Sequence, residues 1–247
     1  MKDHDAFFVG YLKAPRQHAI ACLTAAMLCL AGLIALALAL GRSPIRPDDS
    51  GYAGEVALQG SITPDPYPLL LLPADPTHPA GRAIMLAGDG KRGVQAMAAD
   101  LKGRTVMARG VMLKRGDLDM LVVAGDNGLQ AIGANTYTSA EPVSLGRWRM
   151  AGEICDGKCY SGAMHPGAGV SHKACANLCI GGGVPPVFAA FTPVENASFF
   201  LLADANGKSA PARLFDLVGI PVWLEGEMHR IGDLVVFRAD WKTAAAQ

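Results

Sequence analysis

The sequence predicts a mainly β protein: an N-terminal transmembrane helix followed by two five-stranded barrels. Three observations lead there. One uninterrupted apolar stretch lies near the N-terminus, a β-rich unit occurs twice in the remainder, and both copies share one order of elements.

Half of the 247 residues are apolar (51%), but the excess is local. Ala19–Leu40 runs for 22 residues without a charge. As a helix that is about 33 Å, enough to cross the hydrocarbon core of a bilayer. Lys2, Lys13 and Arg16 precede it and Arg42 and Arg46 follow it, a small excess of positive charge on the N-terminal side that suits a signal anchor with the bulk of the chain exported. Phe7, Phe8 and Tyr11 are placed to anchor at the membrane–water boundary. Ala37-Leu38-Ala39 has the small-x-small form of a cleavage site, but the stretch is longer than an ordinary signal-peptide core. The reading is therefore a cytoplasmic segment at 1–18, a signal anchor at 19–40 in the inner membrane, and a Pro/Asp/Ser-rich linker at 41–53. Cys22 and Cys29 fall inside the helix and read as small apolar residues.

Beyond the linker the chain repeats. Asp100-Leu101-Lys102-Gly103, Val106, Gly110, Met112 and Gly116-Asp117-Leu118 recur 116 residues later as Asp216-Leu217-Val218-Gly219, Val222, Gly226, Met228 and Gly232-Asp233-Leu234. Matching Gly, Asp and apolar positions at a constant offset argue for duplication of one unit. In the first copy strands are expected at Gly54–Ile62, Tyr67–Leu72 and Ala83–Ala87, a helix at Val94–Leu101, and a hairpin at Thr105–Leu113 and Leu118–Ala124. In the second they are expected at Trp148–Ile154, Val187–Phe191, Phe199–Ala203, Pro221–His229 and Leu234–Ala239, with a short helix near Ala212–Leu217. Alternating apolar residues such as Val222, Leu224 and Met228 fit half-buried strands. Three strands, a helix and a two-stranded hairpin resemble the OB-fold, a five-stranded Greek-key barrel. The predicted domains are OB-like units at 54–140 and 146–242.

The copies differ at one place. Gly54-Glu55-Val56 matches Gly152-Glu153-Ile154 at an offset of 98, whereas downstream the offset is 116. Residues have thus been added between the first and second strands of the second barrel, at a connection that rims the ligand-binding face of OB-folds. The insertion, 155–186, holds four of the six cysteines, in the spacing C-x3-C-x12-H-x2-C-x3-C. Ser171 is expected to cap a helix from His172 to Ile180, and Gly181-Gly182-Gly183 with Pro185-Pro186 to end it. On such a helix His172, Cys175 and Cys179 share one face. Cys155 and Cys159 approach from the strand end, and Met164 and His165 from the Gly/Pro-rich loop.

Three chemistries fit. Two structural disulfides suit an even cysteine count in an oxidising compartment. A metal site suits clustered thiolates and imidazole, which bind zinc or copper(I). A redox-active dithiol suits a thiol near a helix start. The absence of C-x-x-C-H removes c-type haem. For the metal reading the preferred ligands are Cys159, His172, Cys175 and Cys179, with Cys155 as a fifth candidate or partner of Cys159, and Met164 and His165 as additional ones. An anchor followed by an exported C-x3-C and a distant His resembles the Sco-type copper-delivery proteins of cytochrome oxidase assembly, through Cys155, Cys159 and His172 alone; those proteins are thioredoxin-like. The loop pattern C-Y-x-G-x-M…H-K-x-C-A-x-x-C-I-x-G-G-x-P-P is similar to that of a family of uncharacterised bacterial membrane-anchored proteins, a likeness that brings no activity with it.

Other residues read as scaffold. His229 falls in a strand pattern as an exposed residue, Gly88-Asp89-Gly90 and Asp204-Ala205-Asn206-Gly207 suit tight turns, and Asp117 and Asp233 suit hairpin turns. No Gly-x-Ser-x-Gly elbow or Walker loop occurs. A formal net charge of zero and few aromatics argue against nucleic acid as a ligand. The expected function is a non-enzymatic, periplasmic accessory role, in which the Cys/His loop binds copper or zinc, or exchanges thiols, while docked on a membrane-protein partner. A protein-binding adaptor with a disulfide-stapled loop is the alternative, and a thiol oxidoreductase the third.

Overall fold

The computed structural model describes residues 16–41, 51–134 and 141–247. The chain forms two units, Met1–Arg46 and Pro47–Gln247. The flanking residues read as anchor signals (Lys2, Phe7, Phe8, Tyr11, Lys13, Arg42 and Arg46) lie outside the described residues. So do most of the predicted linker and the end of the first predicted domain, 135–140.

In the first unit α1 (Arg16–Gly41) is helical throughout. From His18 to Ala39 it is long and apolar enough to cross a membrane. Ile20, Leu28, Leu30, Leu33 and Leu36 are exposed and, at about 100° per residue, point to all sides of the axis, so the helix is apolar all round rather than on one stripe, as expected of a span or a fully buried helix. Thr24 Oγ1 donates to the Ile20 carbonyl at 3.0 Å, which satisfies its hydroxyl within the helix itself.

The second unit opens with β1 (Gly51–Thr63), β2 (Leu69–Leu72), β3 (Arg82–Ala87), the short helix α2 (Gln95–Ala99), β4 (Arg104–Arg115) and β5 (Leu118–Val123). Pairing runs β1-β2-β3-β5-β4 and returns to β1, closing a five-stranded barrel; β3 and β5 are parallel and the other pairs antiparallel. This is the predicted OB-like circuit. A sixth strand, β6 (Leu129–Ala134), which the sequence pattern did not announce, pairs with the outer part of β4. The second copy is built from β7 (Val143–Asp156), α3 (Lys173–Gly181), β8 (Pro186–Val194), β9 (Ala197–Asp204), α4 (Leu214–Leu217), β10 (Pro221–Ile231) and β11 (Leu234–Ala239). Its ring, β7-β8-β9-β11-β10-β7, has the same parallel pair. Even the register is duplicated. Met85 faces Met120 in the first barrel, and their counterparts Leu201 and Val236 face each other in the second. A two-residue strand, β12 (Ala245–Ala246), joins β10.

Two equivalent glycines show why the barrels close. A Cβ on Gly110 would stand 2.0 Å from the Val122 carbonyl oxygen, and one on Gly226 would stand 2.2 Å from that of Arg238. Only glycine permits the close strand crossing at that corner.

Each barrel has its own interior. Leu70, Ile84, Leu86, Val106 and Leu121 fill the first; Ile154, Phe188, Phe200, Leu224 and Phe237 fill the second. A third core lies between them and takes Leu69, Met85 and Met120 from one barrel and Val187, Leu201 and Val236 from the other. β3 is therefore buried on both faces, which explains a near-continuous apolar run where alternation would mark a strand with one wet face. The faces that meet come from like positions of the repeat: Met85 and Leu201, Ala87 and Ala203, Leu118 and Leu234. The hairpin turn of the second barrel also grips the first, since the Ala83 backbone N–H donates to Asp233 Oδ1 at 2.8 Å. Burial pushes the Asp233 carboxyl up. Arg82 pairs with Asp119 and lies 3.8 Å from Asp233.

Candidate metal centre

The insertion leaves β7 at Asp156 and returns into β8 at Pro186. Its first part is a single π-helical turn, Cys159–Ala163, with Cys159, Tyr160 and Ser161 buried. The turn breaks at Gly162, whose φ of 122° lies in the region that favours glycine. Asp156 starts it: the Cys159 backbone N–H donates to Asp156 Oδ1 at 2.8 Å, and the Ser161 hydroxyl donates to the Gly157 carbonyl. The ring of Tyr160 lies in the core between the barrels, with the Arg115 guanidinium 4.2 Å above its centroid.

A loop carrying exposed Met164 and His165 leads to a 3₁₀ turn at Val170–His172 and then to α3. The expected cap at Ser171 does not form. The helix starts one residue later than predicted, with His172 at the boundary and no side chain bonded to its free N–H groups. His172 is turned to a different task, and Nε2 lies 3.0 Å from Asp156 Oδ2. The predicted C-terminus holds. The Gly182 N–H donates to the Leu178 and Cys179 carbonyls at 3.0 and 3.1 Å, and that of Gly183 to Ile180 at 2.9 Å.

The glycines have a second role. The Gly93 N–H donates to the Gly182 carbonyl at 2.8 Å, and Gln95 Nε2 donates to Gly183 at 2.6 Å. A Cβ on Gly182 would sit 1.9 Å from the Lys91 carbonyl oxygen. The end of α3 thus docks on the β3–α2 loop of the first barrel, and that loop supplies Lys91 to the site.

At this junction the predicted ligands converge. One atom each from Cys159, His172 and Cys175 lie within 4.8 Å of one another, and so do those of Asp156, Cys159 and Cys179. Cys159, Cys179 and His172 are buried and Cys175 is half-buried. All six cysteines are unbridged. A hydrogen bond from the Cys159 thiol holds the Cys179 thiol down, and the same bond together with burial pushes Cys159 up. Lys91 Nζ donates to Cys175 Sγ at 2.7 Å and lies 4.0 Å from Cys179 Sγ; the contact with Cys175 raises the ammonium. Lys158 is lowered by burial and donates to the carbonyls of Gly88 and Gly90 at 2.6 and 2.9 Å. The turn at Gly88-Asp89-Gly90 is thus also a cradle for a buried cation.

Two predicted ligands stand apart. Cys155 faces the core between the barrels, with Sγ 3.6 Å from Glu153 Oε1, and belongs to neither group. Strand alternation is the reason: its neighbour Ile154 faces the barrel interior, so Cys155 faces the opposite side. Burial keeps its thiol protonated. His165 is exposed and also outside both groups. Met164 is near, with Sδ 3.8 Å from Cys175 Sγ. His229 is half-buried rather than exposed, with Nε2 3.6 Å from Glu227 Oε2.

Reading the sequence for sulfur and imidazole missed Asp156, Lys158 and Lys91. The first two sit inside Cys155-Asp156-Gly157-Lys158-Cys159, where an acid three residues before a predicted ligand was the available signal. Lys91 left none, because it comes from the other barrel. The arrangement has the parts of a metal centre: thiols, an imidazole, and a carboxylate that fixes that imidazole at Nε2. Comparison with family models, with curated proteins and with solved structures returned no match to this chain.

Proposed function

We propose that this protein is a membrane-anchored accessory protein of the periplasm, with α1 as its anchor in the inner membrane. Its second barrel carries a thiolate–imidazole site for copper(I) or zinc(II), and it works docked on a membrane partner. One observation carries the reading. Asp156 holds His172 through Nε2 at 3.0 Å, and this carboxylate–imidazole pair stands among three thiols gathered from both ends of the insertion. The soft, nitrogen-containing donor set suits zinc or copper and not magnesium or calcium. Exposed Met164, Val170 and Leu178 on the same insertion supply apolar surface for a partner.

A second reading, thiol exchange, draws on the Lys91 ammonium at Cys175 and the hydrogen-bonded Cys159–Cys179 pair. Metal analysis of anaerobically prepared protein, joined to a free-thiol count, separates the two. The metal reading expects stoichiometric copper or zinc that is lost in Cys175→Ser and kept in Cys155→Ala. Metal-free protein with a reactive dithiol would overturn it in favour of exchange.

A further inference from the structure

The ligands are graded in exposure, and the gradient runs along a line of sulfur. Cys159 and Cys179 are buried, at 4% and 1% exposure. Cys175 is half-buried, and Met164 is 47% exposed, with its thioether 3.8 Å from Cys175 Sγ. A thioether is a soft, neutral donor. It suits copper(I), whereas the usual protein ligands of zinc are thiolate, imidazole and carboxylate. An exposed methionine packed on a ligating sulfur is therefore informative about which metal the route serves.

A second observation concerns charge. The Cys175 sulfur already receives a monovalent cation, the Lys91 ammonium, at 2.7 Å. Lys91 is exposed and its stem is flexible, so it can swing into water at little cost. Replacing an ammonium by Cu⁺ leaves the charge beside this sulfur unchanged, whereas Zn²⁺ would add one unit in a site that already holds the buried Lys158.

Resting on the metal reading above, we infer that the metal handled here is copper(I), and that it enters and leaves by ligand exchange through Met164 and Cys175, displacing Lys91. Copper stays in the +1 state throughout. A bond from the donor molecule to copper breaks as the Met164 Sδ–Cu bond forms. Cys175 then binds, followed by the interior ligands, and each thiol still protonated releases its proton as its bond to copper forms. Departure is the reverse.

The test uses the full chain in detergent, reduced and metal-free under anaerobic conditions. Copper(I) is offered as its bicinchoninate complex and zinc in competition with a chromophoric chelator. Met164 is exposed, so Met164→Leu leaves the fold intact, as circular dichroism would verify. In that variant copper(I) uptake is expected to slow, or its affinity to fall, by about tenfold or more, the loss typical when a supporting group at a metal site is removed. Zinc affinity is expected to change less than about twofold. Unchanged copper uptake in Met164→Leu, or retention of zinc when both metals are offered to the unmodified protein, would overturn this inference and leave the metal reading standing. Failure of the unmodified protein to bind either metal would overturn both.

Discussion

Asp156 shows what one residue contributes that composition hides. One carboxylate oxygen fixes the start of the π-turn that places Cys159, and the other fixes the imidazole of His172. The two candidate ligands lie 13 positions apart in sequence, and a single side chain sets their relative position. Removing its charge while keeping its shape is therefore informative. Asp156→Asn is expected to weaken metal binding about 10- to 100-fold with the fold retained, measured by chelator competition beside circular dichroism; unchanged affinity would contradict its orienting role. The ligand-rich character of the insertion was legible in its spacing. The supporting charges were not, because a metal-ligand search weighs sulfur and nitrogen and passes over an acid or a lysine beside them. Cys155 stands outside both groups for a related reason. Proximity to Cys159 suggested a shared site, while the pleat of β7 sends its thiol to the opposite face.

The insertion, as an element, was readable at its boundaries and at its end. The jump in repeat offset located it, and the Gly-Gly-Gly run correctly ended α3. Its beginning was not readable, since the turn at Cys159 is started by a bond to Asp156 that no propensity announces, and α3 begins at Lys173 without the cap expected of Ser171. The glycine run says more than termination. Gly182 lies against the first barrel so closely that Gly182→Ala must push α3 off the β3–α2 loop. The expected cost is about 1–3 kcal/mol, in the range for overpacking, read as a lowered denaturant midpoint. The same displacement carries the Lys91 backbone away from Cys175. A midpoint equal to that of the unmodified protein would show that the contact is slack.

Across the molecule, duplication was the clearest message in the sequence, and both ring topologies follow it. What the repeat could not reveal is that its two copies pack through like faces. β3 reads as a continuous apolar segment, and such a segment is compatible with burial by any partner. The shared core makes Pro47–Gln247 one compact unit despite its two barrels. Tyr67 reports on that junction. Burial raises its phenol above the ordinary value, and the Ala210 N–H donates to its oxygen at 3.2 Å. In the unfolded chain this group ionises near pH ~10. The native state keeps it neutral longer, so the stability it confers is full below about pH 10 and is lost as pH rises beyond. Denaturant titrations at stepped pH above 9 are expected to show that decline, and Tyr67→Phe to make it shallower. An identical decline in the variant would assign it elsewhere.

The far end of the seam between the barrels completes the comparison. There the unexpanded β1–β2 turn meets the β9–α4 loop, closed by Lys208 Nζ 3.2 Å from Asp65 Oδ1 and by Ser209 Oγ donating to the Pro66 carbonyl at 2.8 Å. The same kind of junction, a β–β connection of one barrel against the loop after the third strand of the other, thus occurs twice in one molecule, plain in one case and sulfur-bearing in the other. The plain end is a built-in control: at both junctions a lysine reaches across the seam, Lys208 to Asp65 and Lys91 to Cys175, so loss of the Lys208 contact reports what such a bridge contributes where no sulfur is present.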